Sequence, residues 1–166
     1  MDWFLTRTVW RPQRRLSALL WLAQPAPWVH GFAVATYLEI HGRVFGAAGA
    51  SGQEFLTGLA AGYEVMERLA ADFIPTVMAR GFHASPVFGI FGSALAAAKI
   101  LNFTEDQINS TIALCVHLAS GNLEGPRSGG LALREGAAVR NAMLAVALAQ
   151  QGQAGGETVL EGDSGI

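Results

Sequence analysis

Between Pro86 and Leu101 the chain is unusually rich in small side chains. Gly89, Gly92, Ser93, Ala94, Ala96, Ala97 and Ala98 fall within one stretch of ten residues. Ser85-Pro86 in front of them reads as a serine N-cap followed by proline at the first helical position. The stretch is therefore predicted to be a helix ending near Leu101. Each interior glycine costs about 1 kcal/mol of helix propensity relative to alanine. Close approach of a neighbouring backbone, or of a ligand, would compensate that loss. A helix this slim belongs at the centre of a domain, with other helices laid directly against it.

The flanking sequence supplies those helices. Ser51-Gly52-Gln53-Glu54 is a capping box, in which serine and glutamate each accept a backbone N–H that the helix start leaves free. Phe55, Leu59, Gly62/Tyr63, Met66, Leu69/Ala70 and Phe73 follow in steps of three and four, one face of a helix over residues 52–73. Residues 74–84 read as a connection. Thr104-Glu105-Asp106-Gln107 is a second capping box, and Ile108, Ile112, Cys115 and Ala119 continue it toward Gly121. Residues 121–130, rich in glycine, read as a loop, and a last helix covers residues 133–150. Val29 to Phe45 is also readable as a helix, and Thr158-Val159-Leu160 as a short strand. No useful alternating pattern occurs elsewhere. The fold class expected is all-α, a helical bundle over residues 30–166. Residues 1–29, with Trp3, Trp10 and Trp21 before Pro25 and Pro27, read as an N-terminal extension.

Composition narrows the classes. The chain is 51% hydrophobic and 14% charged, against about 25% charged in ordinary soluble domains. So few charges leave part of the surface unsolvated, which predicts a homo-oligomer, most simply a dimer. Leu16 to Leu38 is uncharged and long enough to span a membrane, but Gln24, Pro25, Pro27 and His30 sit in it. Proline frees backbone groups that lipid cannot satisfy, so no membrane span is expected. The first residues lack a secretory signal pattern. Cys115 is the single cysteine, consistent with a cytoplasmic protein. Arg11, Arg14 and Arg15 cluster, yet no basic stripe follows, so nucleic acid is not an expected partner. His30, His41 and His117 have no metal-ligand spacing with His83 or Cys115. Neither a metal nor another cofactor is expected.

His83 stands just before a helix N-terminus, where free N–H groups and the helix dipole attract carboxylates. It could serve as a general acid/base on a bound acid, or be a plain loop histidine. Arg127 and Ser128, with Gly129 and Gly130, form a cationic loop suited to an anion, and Arg134 and Arg140 follow. Arginine matches a carboxylate with two parallel hydrogen bonds. Solvated surface charge is the alternative reading.

These segments carry a resemblance. Gly49-Ala50-Ser51-Gly52-Gln53-Glu54-Phe55-Leu56, Ala61-Gly62-Tyr63-Glu64-Val65, Arg80-Gly81-Phe82-His83, the run from Phe91 to Leu101, Ala119-Ser120-Gly121, Gly136-Ala137-Ala138-Val139-Arg140 and Thr158-Val159-Leu160-Glu161-Gly162 resemble, in order and spacing, the MmgE/PrpD family. That family includes 2-methylcitrate dehydratase, cis-aconitate decarboxylase and an iminodisuccinate epimerase. The resemblance implies metal-free lyase or isomerase chemistry on a small di- or tricarboxylate, in a homodimer. It also implies a large helical domain and an α+β lid with the active site between them. His83 matches an active-site histidine of the family. Leu131 stands where the family has a lysine, and Arg134 where it has a further histidine.

By that resemblance the chain corresponds to part of the helical domain, with the lid absent and the upstream active-site segment unmatched in residues 1–29. Three expectations follow. The first is a truncated or divergent family member, inactive alone because its site is incomplete. The second is a lyase or isomerase completed by another chain. The third is a dimeric helical module that binds a small carboxylate or a protein partner.

Overall fold

The computed structural model describes residues 48–123, 131–160 and 162–163. The readings of residues 1–29 and of a helix from Val29 to Phe45 lie outside the described residues. Four helices are described: α1 (Gly52–Ala79), α2 (Ala84–Ile100), α3 (Glu105–Leu118) and α4 (Leu131–Gln150). The class is all-α, as expected.

The slim helix is the hub. Fourteen of the 17 residues of α2 are buried, and it packs against α1, α3 and α4, while α3 and α4 also pack on each other. Its closest neighbour is α1. A Cβ built on Gly62 would run into the Gly92 carbonyl oxygen and lie 3.0 Å from the Ala96 methyl. One built on Gly58 would lie 2.9 Å from the Ala96 carbonyl oxygen. The two backbones thus touch through glycine, which is the compensation that the low helix propensity of this stretch requires. Ser93 is fully buried, and its hydroxyl donates to the Gly89 carbonyl at 2.9 Å, so the slim face carries no unmet donor. Ile90, Phe91 and Leu95 of α2 share a core with Cys115 of α3 and Ala142, Met143 and Val146 of α4. Full burial of a side chain such as Ile90 or Phe91 stabilises the fold by about 1.5–3 kcal/mol.

Both capping boxes form. Ser51 Oγ accepts from the Glu54 N–H at 3.3 Å while Glu54 accepts from the Ser51 N–H at 2.7 Å. Thr104 and Gln107 exchange the same pair of bonds at 3.3 and 3.0 Å. The C-termini share a second device. After α1, α2 and α4, a residue with positive φ (Gly81 at +84°, Asn102 at +54°, Gly152 at +84°) closes a Schellman turn. Its bonds after α1 run from the Gly81 N–H to the Met78 carbonyl and from the Phe82 N–H to the Val77 carbonyl.

Three expectations need correction. α1 does not stop near residue 73; it continues through Pro75 to Ala79, because proline removes one N–H whereas the left-handed Gly81 turn ends the helix. The connection shrinks to residues 80–83. Phe73, placed on the buried face by spacing, is 43% exposed. Thr158-Val159-Leu160 is a turn, not a strand, closed by the Gly162 N–H donating to the Thr158 carbonyl at 2.8 Å. This tail lies along α3, where a Cβ on Gly155 would overlap the Ala113 methyl. Among the described residues, no helix is long and apolar enough to cross a membrane.

The glycine contact makes a quantitative prediction. Gly62→Ala should destabilise the protein by about 1–3 kcal/mol, because the added methyl meets backbone. Gly136→Ala, at an exposed helical site with nothing within 4 Å of the new Cβ, should stabilise it by about 0.5–1 kcal/mol. Urea unfolding midpoints of the two variants test the pair, and the account fails if both move in the same direction.

Candidate active site: the His83 junction

The Schellman turn at Gly81 ends α1 and sends the chain directly into His83, the N-cap of α2 (φ −93°, ψ 131°). The His83 N–H donates to the Gly121 carbonyl at 3.0 Å, and the Leu123 N–H donates to the Gly81 carbonyl at 2.8 Å. Phe82 and Asn122 thereby form an antiparallel bridge. The segment after α3 is thus fastened to the segment before α2. Gly121 has φ +130°, and a Cβ there would strike the Pro86 ring, so glycine is needed both for conformation and for space.

A polar cluster grows from this junction. The start of α2 had been expected to use Ser85 as N-cap with Pro86 at the first helical position. The helix instead begins at Ala84, and the N-cap His83 makes no side-chain capping bond. Ser85 is relieved of capping and turns inward. Its hydroxyl donates to Glu135 Oε1 at 2.6 Å, and its oxygen lies 3.0 Å from His83 Nδ1. Glu135, early in α4, also accepts from Arg134 Nε at 3.3 Å and Nη2 at 3.1 Å. Arg134 Nη1 donates to the Asn122 carbonyl at 3.0 Å, which ties the ion pair to the bridge segment. The Arg134 and Glu135 side chains are only 8% and 4% exposed. Glu135 Oε2 is buried and has no hydrogen-bond partner.

The electrostatics set the state of the histidine. Partial burial holds the His83 pKa below its ordinary value of 6.5, the Arg134 cation lowers it further, and the Glu135 carboxylate opposes both. Burial and the cation thus favour the neutral imidazole, which can accept a proton.

Of the residues singled out from sequence, His83 and Arg134 come together here. Arg134 is turned inward onto Glu135 and the Asn122 carbonyl. Arg127 and Ser128 lie outside the described residues. Arg140 is exposed and bonds the Asn141 side chain at 3.3 Å. His117 is exposed near the end of α3. Cys115 is buried, with its thiol pKa pushed far up by burial, which makes it a packing residue. Among the described residues no group of three His, Cys, Asp or Glu side chains could hold a metal ion. Glu135 and Ser85 are the members that sequence reasoning missed. For Glu135 a signal existed: it lies three, four and seven residues before Ala138, Val139 and Ala142, all buried, and so shares the apolar face of α4.

The described helices define an all-α domain with a buried polar cluster at a helix junction. The chain belongs to the MmgE/PrpD family: the MmgE/PrpD N-terminal domain matches residues 2–166. A curated relative, the "Cis-aconitate decarboxylase-like protein oryM" of Aspergillus oryzae (strain ATCC 42149 / RIB 40), is 29% identical over 113 residues. The match takes in 67% of this chain but 23% of that relative's length. No solved structure matches the chain.

Two measurements test this electrostatic picture. Arg134→Ala would leave the Glu135 carboxylate buried and uncompensated, a loss of about 3–5 kcal/mol. The joint replacement Arg134→Met with Glu135→Ala removes both charges and should cost less than Arg134→Ala alone; urea unfolding of the two decides, and an equal or larger loss in the joint variant contradicts the buried-pair account. The second concerns pH. Because the folded His83 pKa is depressed, the unfolded chain binds the extra proton in the window from that lowered value up to about 6.5. His83 therefore makes stability rise with pH through that window and level off above it. His83→Gln should flatten this rise, seen as the difference between the two unfolding-midpoint profiles.

Proposed function

We propose that this chain carries the His83 side of an MmgE/PrpD-type site for a small di- or tricarboxylate. His83 acts as the general acid/base of lyase or isomerase chemistry that uses no metal or other cofactor. The observation that carries this reading is the convergence, at one junction, of the Gly81-Phe82-His83 motif, the Ser120-Gly121 segment and the start of α4 with its buried Arg134. A neutral imidazole at a helix N-terminus, where free N–H groups attract a carboxylate, is suited to exchange a proton with the carbon next to that carboxylate. Arg127 and Ser128 are proposed to supply further carboxylate contacts. The low charge content and the single cysteine support a homodimer in the cytoplasm.

A second reading is favoured by Leu131 and Arg134, which stand where the resemblance places a lysine and a histidine. Loss of one of several concerted groups lowers turnover by orders of magnitude. On that reading the chain binds a small carboxylate and leaves it unreacted, or is inactive until another chain completes the site.

The test is calorimetric titration of the purified chain with cis-aconitate, citrate and 2-methylcitrate, together with a turnover assay on cis-aconitate and 2-methylcitrate. At least one tricarboxylate should bind, and His83→Ala should weaken it about tenfold or more, or about 1.4 kcal/mol. Turnover that His83→Ala abolishes selects the enzyme; binding without turnover selects the second reading. Absence of binding by all three ligands rejects the enzyme and the carboxylate-binding module, leaving only a site that another chain completes.

A further inference from the structure

We propose that Ser85 and Glu135 are positioning residues that hold His83 as its Nδ1–H tautomer, which leaves Nε2 as the ring nitrogen that takes up and returns the proton. The argument follows the direction of each hydrogen bond. Glu135 Oε1 receives two N–H groups from Arg134, at 3.3 and 3.1 Å, and a guanidinium can only donate. An oxygen that accepts from a cation twice is not the carboxyl oxygen that carries a proton. Oε1 is therefore an acceptor toward Ser85 as well. The Ser85–Glu135 separation of 2.6 Å falls in the short range of a hydroxyl donating to a carboxylate.

A serine hydroxyl has one proton. Given to Glu135, it is not available to His83. Ser85 Oγ can face Nδ1 at 3.0 Å only as an acceptor, so Nδ1 must carry the proton. In the neutral ring Nε2 then holds the lone pair. The chain of donation runs His83 to Ser85 to Glu135, and Arg134 fixes its far end by binding both Glu135 and the Asn122 carbonyl. The backbone supports the near end, since the His83 N–H is bound to Gly121. Ser85 is nearly buried and Glu135 is 3% exposed, so water competes little for these bonds.

The assignment rests on reading His83 as the proton-transfer group, but its test needs no substrate. Long-range nitrogen–proton correlation spectra of the uniformly labelled full chain distinguish a protonated from an unprotonated ring nitrogen. At about pH 8, above the ordinary histidine pKa, the imidazole is neutral, and comparison with His83→Asn identifies its signals. Wild type should show Nδ1 protonated and Nε2 unprotonated. Ser85→Ala should lose that preference and shift the ring toward Nε2–H, while Ser85→Thr, which keeps the hydroxyl, should retain Nδ1–H. The joint Arg134→Met, Glu135→Ala variant should also lose it, because the freed hydroxyl can then donate to Nδ1. This variant carries the test if Ser85→Ala does not fold. A wild-type spectrum with Nε2–H overturns the proposal, as does an unchanged Nδ1–H signal in a folded Ser85→Ala protein. Intact Nδ1–H in a chain that binds no tricarboxylate would instead count against the carboxylate reading alone.

Discussion

The contact between Gly62 of α1 and Gly92 of α2 is the constraint from which the rest of this structure follows. Glycines at the crossing bring the two backbones together, which side chains on both helices would prevent. With α1 held that close, its C-terminal end arrives beside the N-terminal end of α2, and residues 80–83 suffice to join them. A longer connection would have room to wander. This one is a Schellman turn followed at once by an N-cap, so the position of His83 is set by helix packing rather than by loop conformation. Placement on rigid elements holds a side chain more precisely than placement on a loop does.

The second organising element is the polar cluster between the starts of α2 and α4. The Phe82–Asn122 bridge, the Arg134 bond to the Asn122 carbonyl and the Ser85–Glu135 bond together join segments that lie far apart in sequence. Each bond satisfies a group that would be expensive to bury alone. The helices could pack by apolar contact without them, since the Ile90, Phe91, Met143 and Val146 core lies elsewhere along α2 and α4. What the cluster adds is a fixed relation between His83 and its charged neighbours.

Much of the helical architecture was legible because its signals are local. The two capping boxes place the starts of α1 and α3 at the observed residues, and the glycine–alanine run marks α2 as the central helix. The misreadings share a cause: a local rule was overruled by a competing interaction. Ser85-Pro86 has the form of a helix start, but Ser85 finds a stronger acceptor in Glu135, 50 residues away. Pro75 has the form of a helix stop, but the helix loses one hydrogen bond there and runs on to a better terminator at Gly81. Thr158-Val159-Leu160 has strand propensity but, among the described residues, no strand to pair with, and it settles as a turn. Glu135 was missed because a charged residue is ordinarily assigned to the surface, although its spacing to Ala138 and Ala142 puts it on the buried face.

The Arg134–Glu135 pair is poorly explained by stability. Removing two charges from water offsets much of their attraction, and apolar replacements of such pairs are often neutral or stabilising by about 1–4 kcal/mol. An apolar pair at these positions would, however, leave the Ser85 hydroxyl free to donate to His83 and would remove both charges that act on the imidazole. Arg134 lowers the His83 pKa and Glu135 raises it, so the two charges oppose one another at the imidazole. Its larger effect is directional: it commits the Ser85 proton to Glu135 and so determines which nitrogen of His83 is left open. On the proposed tautomer, the buried pair's role is to orient the His83 ring, for which an apolar core has no substitute.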